Sequence, residues 1–170
     1  MPLRPTPDAM RERAFAVLGD RVNDARFLDL FAGTGAVGLE ALSRGARSVV
    51  FVDSHRSAAS LVRANCEALD LDESRVRLIV RPALKAVHEL VAHGDPFDLA
   101  WADPPFESWQ EGLDALASAF EAGVLRRQAT ACLECPSKAD VAGSLPSDLQ
   151  IARDLAGGAS RVVMIKKTNT

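Results

Sequence analysis

The sequence predicts an α/β protein whose mostly parallel, doubly wound sheet ends in an antiparallel hairpin. Three observations carry this expectation. Apolar runs of strand length alternate with amphipathic runs of helix length along most of the chain. The run entering at Phe27 leads into Gly33-Thr34-Gly35-Ala36-Val37-Gly38, a G-x-G-x-x-G turn between a strand and a helix. Asp53, 20 residues after Gly33, closes a second apolar run, Val49-Val50-Phe51-Val52.

Size and composition bound the rest. The 170 residues, 48% apolar and 25% charged, suit one domain over residues 1–170, with residues 1–19 forming an N-terminal capping helix segment. A net charge of −3 and a pI near 5.6 exclude binding of nucleic acid by bulk charge, so a nucleic-acid substrate requires a local basic patch. No apolar run approaches the roughly 20 residues of a membrane span. The start, Met1-Pro2-Leu3-Arg4-Pro5, lacks the apolar region of a signal peptide. A cytoplasmic monomer without membrane partners is therefore expected. The three cysteines, Cys66, Cys132 and Cys135, suit reduced thiols. Cys132-x-x-Cys135 has no second pair, and His55, His88 and His93 lie far off in sequence, so no metal is expected.

Taken in order, the chain opens with Thr6 as an N-cap, Pro7 at the first helical position and Asp8 against the helix dipole. A helix to Leu18 carries Met10, Ala14, Val17 and Leu18 on one stripe, with Phe15 beside it. The first strand and glycine turn follow, then a helix to about Ser43. Ser48 to Val52 is the second strand. Ser57 to Leu69 reads as a helix with Ala59, Val62, Cys66 and Leu69 inward. Val76 to Val80 is the third strand. Ala83 to Ala92 is helical, and its Leu84, Val87, His88 and Val91 are spaced for one buried face, which makes His88 a packed core residue. Phe97 to Ala102 is the fourth strand. Leu113, Leu116, Ala117 and Phe120 mark another helix. Thr130 to Glu134 is a strand broken by Pro136, with a short helix expected over Ser137 to Ala142. Ile151 to Leu155 and Arg161 to Ile165, linked through Gly157-Gly158, form the hairpin.

The glycine turn is built for a ligand. Gly33 and Gly35 remove side chains where the backbone turns tightly or lets a ligand approach, and Gly38 lets the helix lie close to the sheet. An acid at the tip of the second strand, Asp53, can accept both hydroxyl hydrogens of a ribose diol. The expected ligand is an adenosine-containing cofactor, either NAD or S-adenosylmethionine. Asp29, four residues before Gly33, suits a cationic sulfonium or ammonium ligand better than a pyrophosphate of like charge.

Asp103-Pro104-Pro105-Phe106 ends the fourth strand at the same sheet edge, where ligands bind in such folds. An acid, a rigid backbone carbonyl and a ring are what an exocyclic amine on a planar base requires. The amine lone pair is delocalised into the base. Hydrogen bonds from the amine to the Asp103 carboxylate and the Pro104 carbonyl shift the nitrogen towards sp³ geometry, and Phe106 can stack on the base. In-line attack on a sulfonium methyl then needs mainly positioning and electrostatics.

This tetrad resembles the (D/N/S)-P-P-(Y/F) motif of methyltransferases acting on exocyclic or amide nitrogens. The chain is more closely similar to the bacterial 16S rRNA guanine-N2 methyltransferases. The likeness rests on Arg4-Pro5-Thr6, Arg11-Glu12 and Phe15, on Asp29 to Ala36 with Gly38 to Ala46, and on Phe51-Val52-Asp53, Arg63-Ala64-Asn65 and Asp103 to Phe106. The resemblance implies a Rossmann-like class I methyltransferase fold with seven strands and S-adenosylmethionine as donor. It implies the N2 amine of a guanine as acceptor, in 16S rRNA of the small ribosomal subunit or an assembly intermediate. It assigns Asp29, Phe31, Gly33, Gly35 and Asp53 to the cofactor, and Asp103, Pro104, Pro105 and Phe106 to the target amine. Arg81-Pro82-Ala83 stands where many methyltransferases place an acid for the adenine amine, so adenine recognition falls to backbone groups near Ala83. Arg4, Arg11 and Arg13 are the candidate phosphate-binding patch. The competing readings are methyl transfer to a DNA adenine or cytosine amine or to a protein amide, an NAD(P)-binding module, and a non-enzymatic adaptor on the same fold.

Overall fold

The computed structural model describes residues 7–169, so the expected N-cap Thr6 and the candidate Arg4 lie outside the described residues. The elements run α1 (Pro7–Leu18), a 3₁₀ turn, β1 (Arg26–Leu30), α2 (Ala36–Ser43), β2 (Ser48–Asp53), α3 (Arg56–Ala68), β3 (Val76–Val80) and α4 (Ala83–Leu90). They continue with β4 (Phe97–Ala102), α5 (Trp109–Glu121), β5 (Leu125–Pro136), β6 (Leu149–Gly157) and β7 (Ser160–Lys167). One seven-stranded sheet has the order β3-β2-β1-β4-β5-β7-β6. The first five strands are parallel, and β7 runs antiparallel to both β5 and β6.

The period-2 alternation of the strands sorts the apolar residues onto two faces. Phe27, Val49, Phe51, Leu99, Trp101, Cys132 and Met164 pack with Ala14, Phe15 and Leu18 of α1, Ala41 and Leu42 of α2, and Val62 of α3. Leu28, Leu30, Val52, Ala100, Ala102, Leu133, Cys135 and Val163 pack on the other face with Val87 and Leu90 of α4 and Leu113, Leu116 and Phe120 of α5. Cys132 and Cys135 thus sit in separate cores, one on each side of the sheet, and cannot share a ligand.

Helix α1 lies across the first face. Phe15 stacks between Phe27 and Trp101, with centroids 6.0 Å from each. Arg11 ties α1 to α2 through Glu40 (2.8 Å), which also pairs with Arg44 (2.8 Å). Helix α2 in turn lies hard on the sheet at Gly38, where a Cβ would come within 2.3 Å of the Phe51 ring and 2.8 Å of Val49.

Some elements differ from the sequence expectation. In α4 the buried side is Ala86, Val87 and Leu90, whereas Leu84 and Val91 are 44% and 54% exposed and His88 is exposed rather than packed. The apolar stripe is rotated because α4 rests on α5 along that side. Leu69 likewise falls past the end of α3 and is exposed. No helix forms over Ser137 to Ala142. The chain turns there, and Asp140 accepts a hydrogen bond from Gly143 N–H (2.9 Å) ahead of a single 3₁₀ turn, Ala142–Ser144. Strand β5 begins at Leu125, five residues before the predicted start, with an irregular register between Phe97↔Leu125 and Leu99↔Thr130.

Candidate active site

A cavity of about 1240 Å³ opens at the C-terminal ends of the parallel strands. It gathers Asp29 from β1, Phe31 and Gly33 from the β1–α2 turn, Asp53 from β2, Pro82 and Ala83 from the start of α4, and the whole Asp103-Pro104-Pro105-Phe106 segment after β4. The crevice forms between β1 and β4, where the strand order reverses direction.

The turn is held by backbone geometry. Gly33 (φ +57°) and Gly35 (φ +83°) occupy the left-handed region, and Gly35 N–H donates to Ala32 C=O (2.8 Å) at the start of α2. Phe31 takes φ +58°, a conformation costing a non-glycine residue about 1–2 kcal/mol. Its ring, partly buried against the α4–α5 core, holds it there at the cavity wall. Asn65 on α3 pins the turn from outside by donating to Thr34 C=O (2.9 Å).

Asp53 is the fastener between β2 and the turn. Its Oδ2 accepts from Gly33 N–H and its Oδ1 from His55 N–H, each at 3.0 Å. Oδ1 also meets His55 Nδ1 at 3.3 Å, whereas Oδ2 keeps a further lone pair, and the residue lines the cavity.

Asp29 stands deeper than its sequence position implies. It is 1% exposed, set in register between Phe51 and Trp101, and its Oδ2 accepts from Gly38 N–H (3.0 Å). Burial raises its carboxyl well above the usual range. The Gly38 bond opposes that shift, and repulsion from Asp103 and Asp53 adds to it. Asp29 therefore shapes the first turn of α2 from the cavity wall, where burial favours its neutral form.

Asp103 opens on the cavity floor, but the surrounding protein displaces enough water that burial raises its carboxyl. A side-chain hydrogen bond from Glu134 opposes the rise. Sequence reasoning missed Glu134. The signal available was a lone acid inside an apolar strand, and only the pairing of β4 with β5 carries it to the site. Pro104 is buried against Gly112 of α5, which fixes the tetrad's backbone, and Phe106 is partly exposed to the cavity. Acids outnumber bases among the charged lining residues, with Glu107, Glu111 and Asp114 added to those named against Arg11.

Of the candidate patch, Arg11 and Arg13 are engaged within the protein. Arg11 pairs with Asp8 (3.0 Å) and Glu40, and Arg13 donates to Ala156 C=O (2.6 Å). A phosphate would have to compete with these bonds. Among the described residues no helix is long and apolar enough to cross a membrane.

The sheet order, its antiparallel seventh strand and the glycine turn at the crevice define the class I methyltransferase fold. The family model described as conserved hypothetical protein 95 matches residues 1–166, and the chain belongs to that family. Ribosomal RNA small subunit methyltransferase D of Escherichia coli K12 is 38% identical over 104 residues, covering 61% of this chain and 50% of that protein. The chain thus spans about half the length of the curated relatives it matches. Among solved structures, hypothetical protein TTHA0928 of Thermus thermophilus superposes with a TM-score of 0.78 at 27% identity, over 97% of this chain and 89% of that one. SMU.776, solved in complex with SAH (S-adenosylhomocysteine), shares the fold with a TM-score of 0.72 at 17% identity, over 89% of this chain and 48% of its own.

Proposed function

We propose that this chain is an S-adenosylmethionine-dependent methyltransferase acting on the exocyclic N2 amine of a guanine in small-subunit rRNA. The observation that carries the reading is the meeting, in one cavity, of the glycine turn fastened by Asp53 and the Asp103-Pro104-Pro105-Phe106 tetrad. The name of the Escherichia coli relative supports the rRNA class, and the SAH complex of the fold neighbour supports the cofactor.

The residues present fit such a cofactor. The glycine turn leaves room for close approach at a helix start, Asp53 has lone pairs for a ribose diol, and the acid-lined cavity favours a cationic ligand over a pyrophosphate. Pro82 and Ala83 line the cavity and present backbone groups to an adenine. When bound, S-adenosylmethionine supplies an electrophilic sulfonium methyl group. Asp103 and the Pro104 carbonyl accept hydrogen bonds from the target amine, which orients its lone pair and localises it on nitrogen. Phe106 stacks on the base. When the methyl carbon passes from sulfur to nitrogen, leaving a neutral thioether, the nitrogen would become acidic, and the Asp103 carboxylate stands where its proton leaves.

Two measurements test this. Calorimetry with S-adenosylmethionine against NAD separates the cofactor classes, and tight NAD binding alone overturns the reading. Single-turnover methyl transfer to small subunits lacking the modification, read by nucleoside mass analysis, tests the substrate. Protein that binds the cofactor but transfers nothing to rRNA is not an rRNA methyltransferase.

A further inference from the structure

We propose that Glu134 is a specificity-determining residue that accepts the ring N–H next to the reacting amine and so selects guanine over adenine and cytosine. The inference rests on the proposed exocyclic-amine chemistry and adds a residue and a base preference to it.

The placement follows from strand register. Ala102 ends β4 and pairs with Leu133 of β5. Asp103 directly follows the end of β4 and Glu134 follows Leu133 on β5, and adjacent strands stand about 4.8 Å apart. The two carboxyl groups therefore sit side by side. A side-chain hydrogen bond joins them, and both line the cavity. Neighbouring strand residues hold them there: Leu133 is fully buried and Glu134 pairs in register with Val162 of β7.

Once ionised, such a pair offers two adjacent acceptors and no donor. Among RNA bases with an exocyclic amine, guanine alone presents two adjacent donors, N1–H beside N2–H₂. Adenine sets its amine beside the acceptor N1, and cytosine sets its amine beside the acceptor N3. With the amine on Asp103, Glu134 faces that second position. A guanine replaces the Asp103–Glu134 bond by two N–H donors, and the proton held between the carboxyl groups leaves for solvent. Adenine or cytosine would need Glu134 to stay protonated. The cationic cofactor in the same cavity favours the ionised pair and hence guanine.

The test begins with wild-type protein, S-adenosylmethionine and undermodified small subunits, with the methylated nucleoside identified by mass. N2-methylguanine is expected. Methyl on adenine or cytosine overturns this inference and leaves the methyltransferase reading standing. Cofactor binding without transfer to any base overturns both. Glu134→Gln, close to isosteric, then isolates the contact. Its affinity for S-adenosylhomocysteine, which lacks the sulfonium charge, should equal that of wild type, which also reports folding, while kcat/KM on guanine falls about tenfold to a hundredfold, the weight of one base-edge contact. With 2-aminopurine in place of the target guanine, which keeps the amine but loses N1–H, the order should reverse, since the Gln amide can donate to the bare N1. Equal rates of wild type and Glu134→Gln on guanine, or no reversal on 2-aminopurine, would show that Glu134 only packs.

Discussion

The carboxylate of Asp53, at the end of β2, accepts a hydrogen bond from the backbone N–H of Gly33, 3.0 Å away and 20 residues earlier in the chain. This bond ties the glycine turn to the end of β2; in the proposed function the cofactor approaches that turn and Asp53 takes its ribose. Asp53→Ala should weaken S-adenosylmethionine binding by about 1.5–3 kcal/mol, the scale of hydrogen bonds to a charged group. Asp53→Asn, which retains one acceptor, should lose less. Calorimetry reads both, and unchanged affinity in Asp53→Ala removes the residue from the site.

In the proposed reaction Asp103 acts on a nitrogen that changes shape, so its contribution should grow towards the transition state. Asp103→Ala should lower kcat by about 10²–10³ while cofactor affinity stays near that of wild type. Phe106→Ala should raise KM for the RNA as well as lower kcat. Single-turnover transfer measures this. An Asp103→Ala enzyme as fast as wild type would make the tetrad a structural loop.

Asp29 predicts a pH dependence of stability. Its carboxyl is raised in the folded state, chiefly by burial. A raised folded-state pKa means that its stability contribution is fully present below the unfolded carboxyl value of about 3.9 and is lost as pH rises through the folded value. Asp29→Asn removes the titration and keeps an acceptor for Gly38 N–H. Urea unfolding of both proteins at about pH 4.5 and pH 7 should show the variant gaining on wild type as pH rises. A difference that does not change with pH would mean that Asp29 does not titrate in this window.

Gly38→Ala puts a methyl group 2.3 Å from the Phe51 ring and 2.8 Å from Val49, both on β2 under α2. The overpacking should cost about 1–3 kcal/mol and lower Tm by several degrees. Because α2 carries the glycine turn, cofactor affinity should fall with it. A variant as stable as wild type would show that α2 can lift off the sheet without penalty.

Glu40 holds both Arg11 and Arg44 at 2.8 Å, with its side chain 15% exposed. Glu40→Ala leaves two guanidinium groups without their carboxylate and should destabilise the fold by about 1–3 kcal/mol, between the values for exposed and buried pairs. Denaturant midpoints check this, with a loss below about 0.5 kcal/mol counting against a structural role for the link.

The strands with the clearest apolar runs were the most legible in the sequence. Val76–Val80 and Phe97–Ala102 coincide with their predicted limits, because turn residues bound each run and both faces of the sheet are covered. The start of β5 was hidden because Arg126, Arg127 and Gln128 are exposed and carry no apolar pattern. The α4 stripe was misread because a helix resting on one neighbour buries a narrower arc than its apolar residues span. At the candidate site, Asp53, which ends β2, and the tetrad, which follows β4, could be placed at one sheet edge from the sequence because each is tied to a strand end. Asp29 was placed correctly on the chain, but its depth depends on Phe51 and Trp101 from neighbouring strands. The role proposed for Glu134 arises from the β4–β5 register, which no local pattern encodes.

The strand order also sets a folding schedule. Strands β3, β2 and β1 are neighbours in sequence and in space, so the cofactor half of the sheet can assemble from local βαβ units. The other edge of β1 finds its partner only when Leu99 of β4 pairs with Phe27, 72 residues earlier. Closing that loop is the entropically costly and therefore slow event. The same event brings Asp103 beside the glycine turn, so the two halves of the candidate site should meet at the slowest pairing of the sheet. A molecule caught before that step has a formed cofactor turn and no place to bring a base to it.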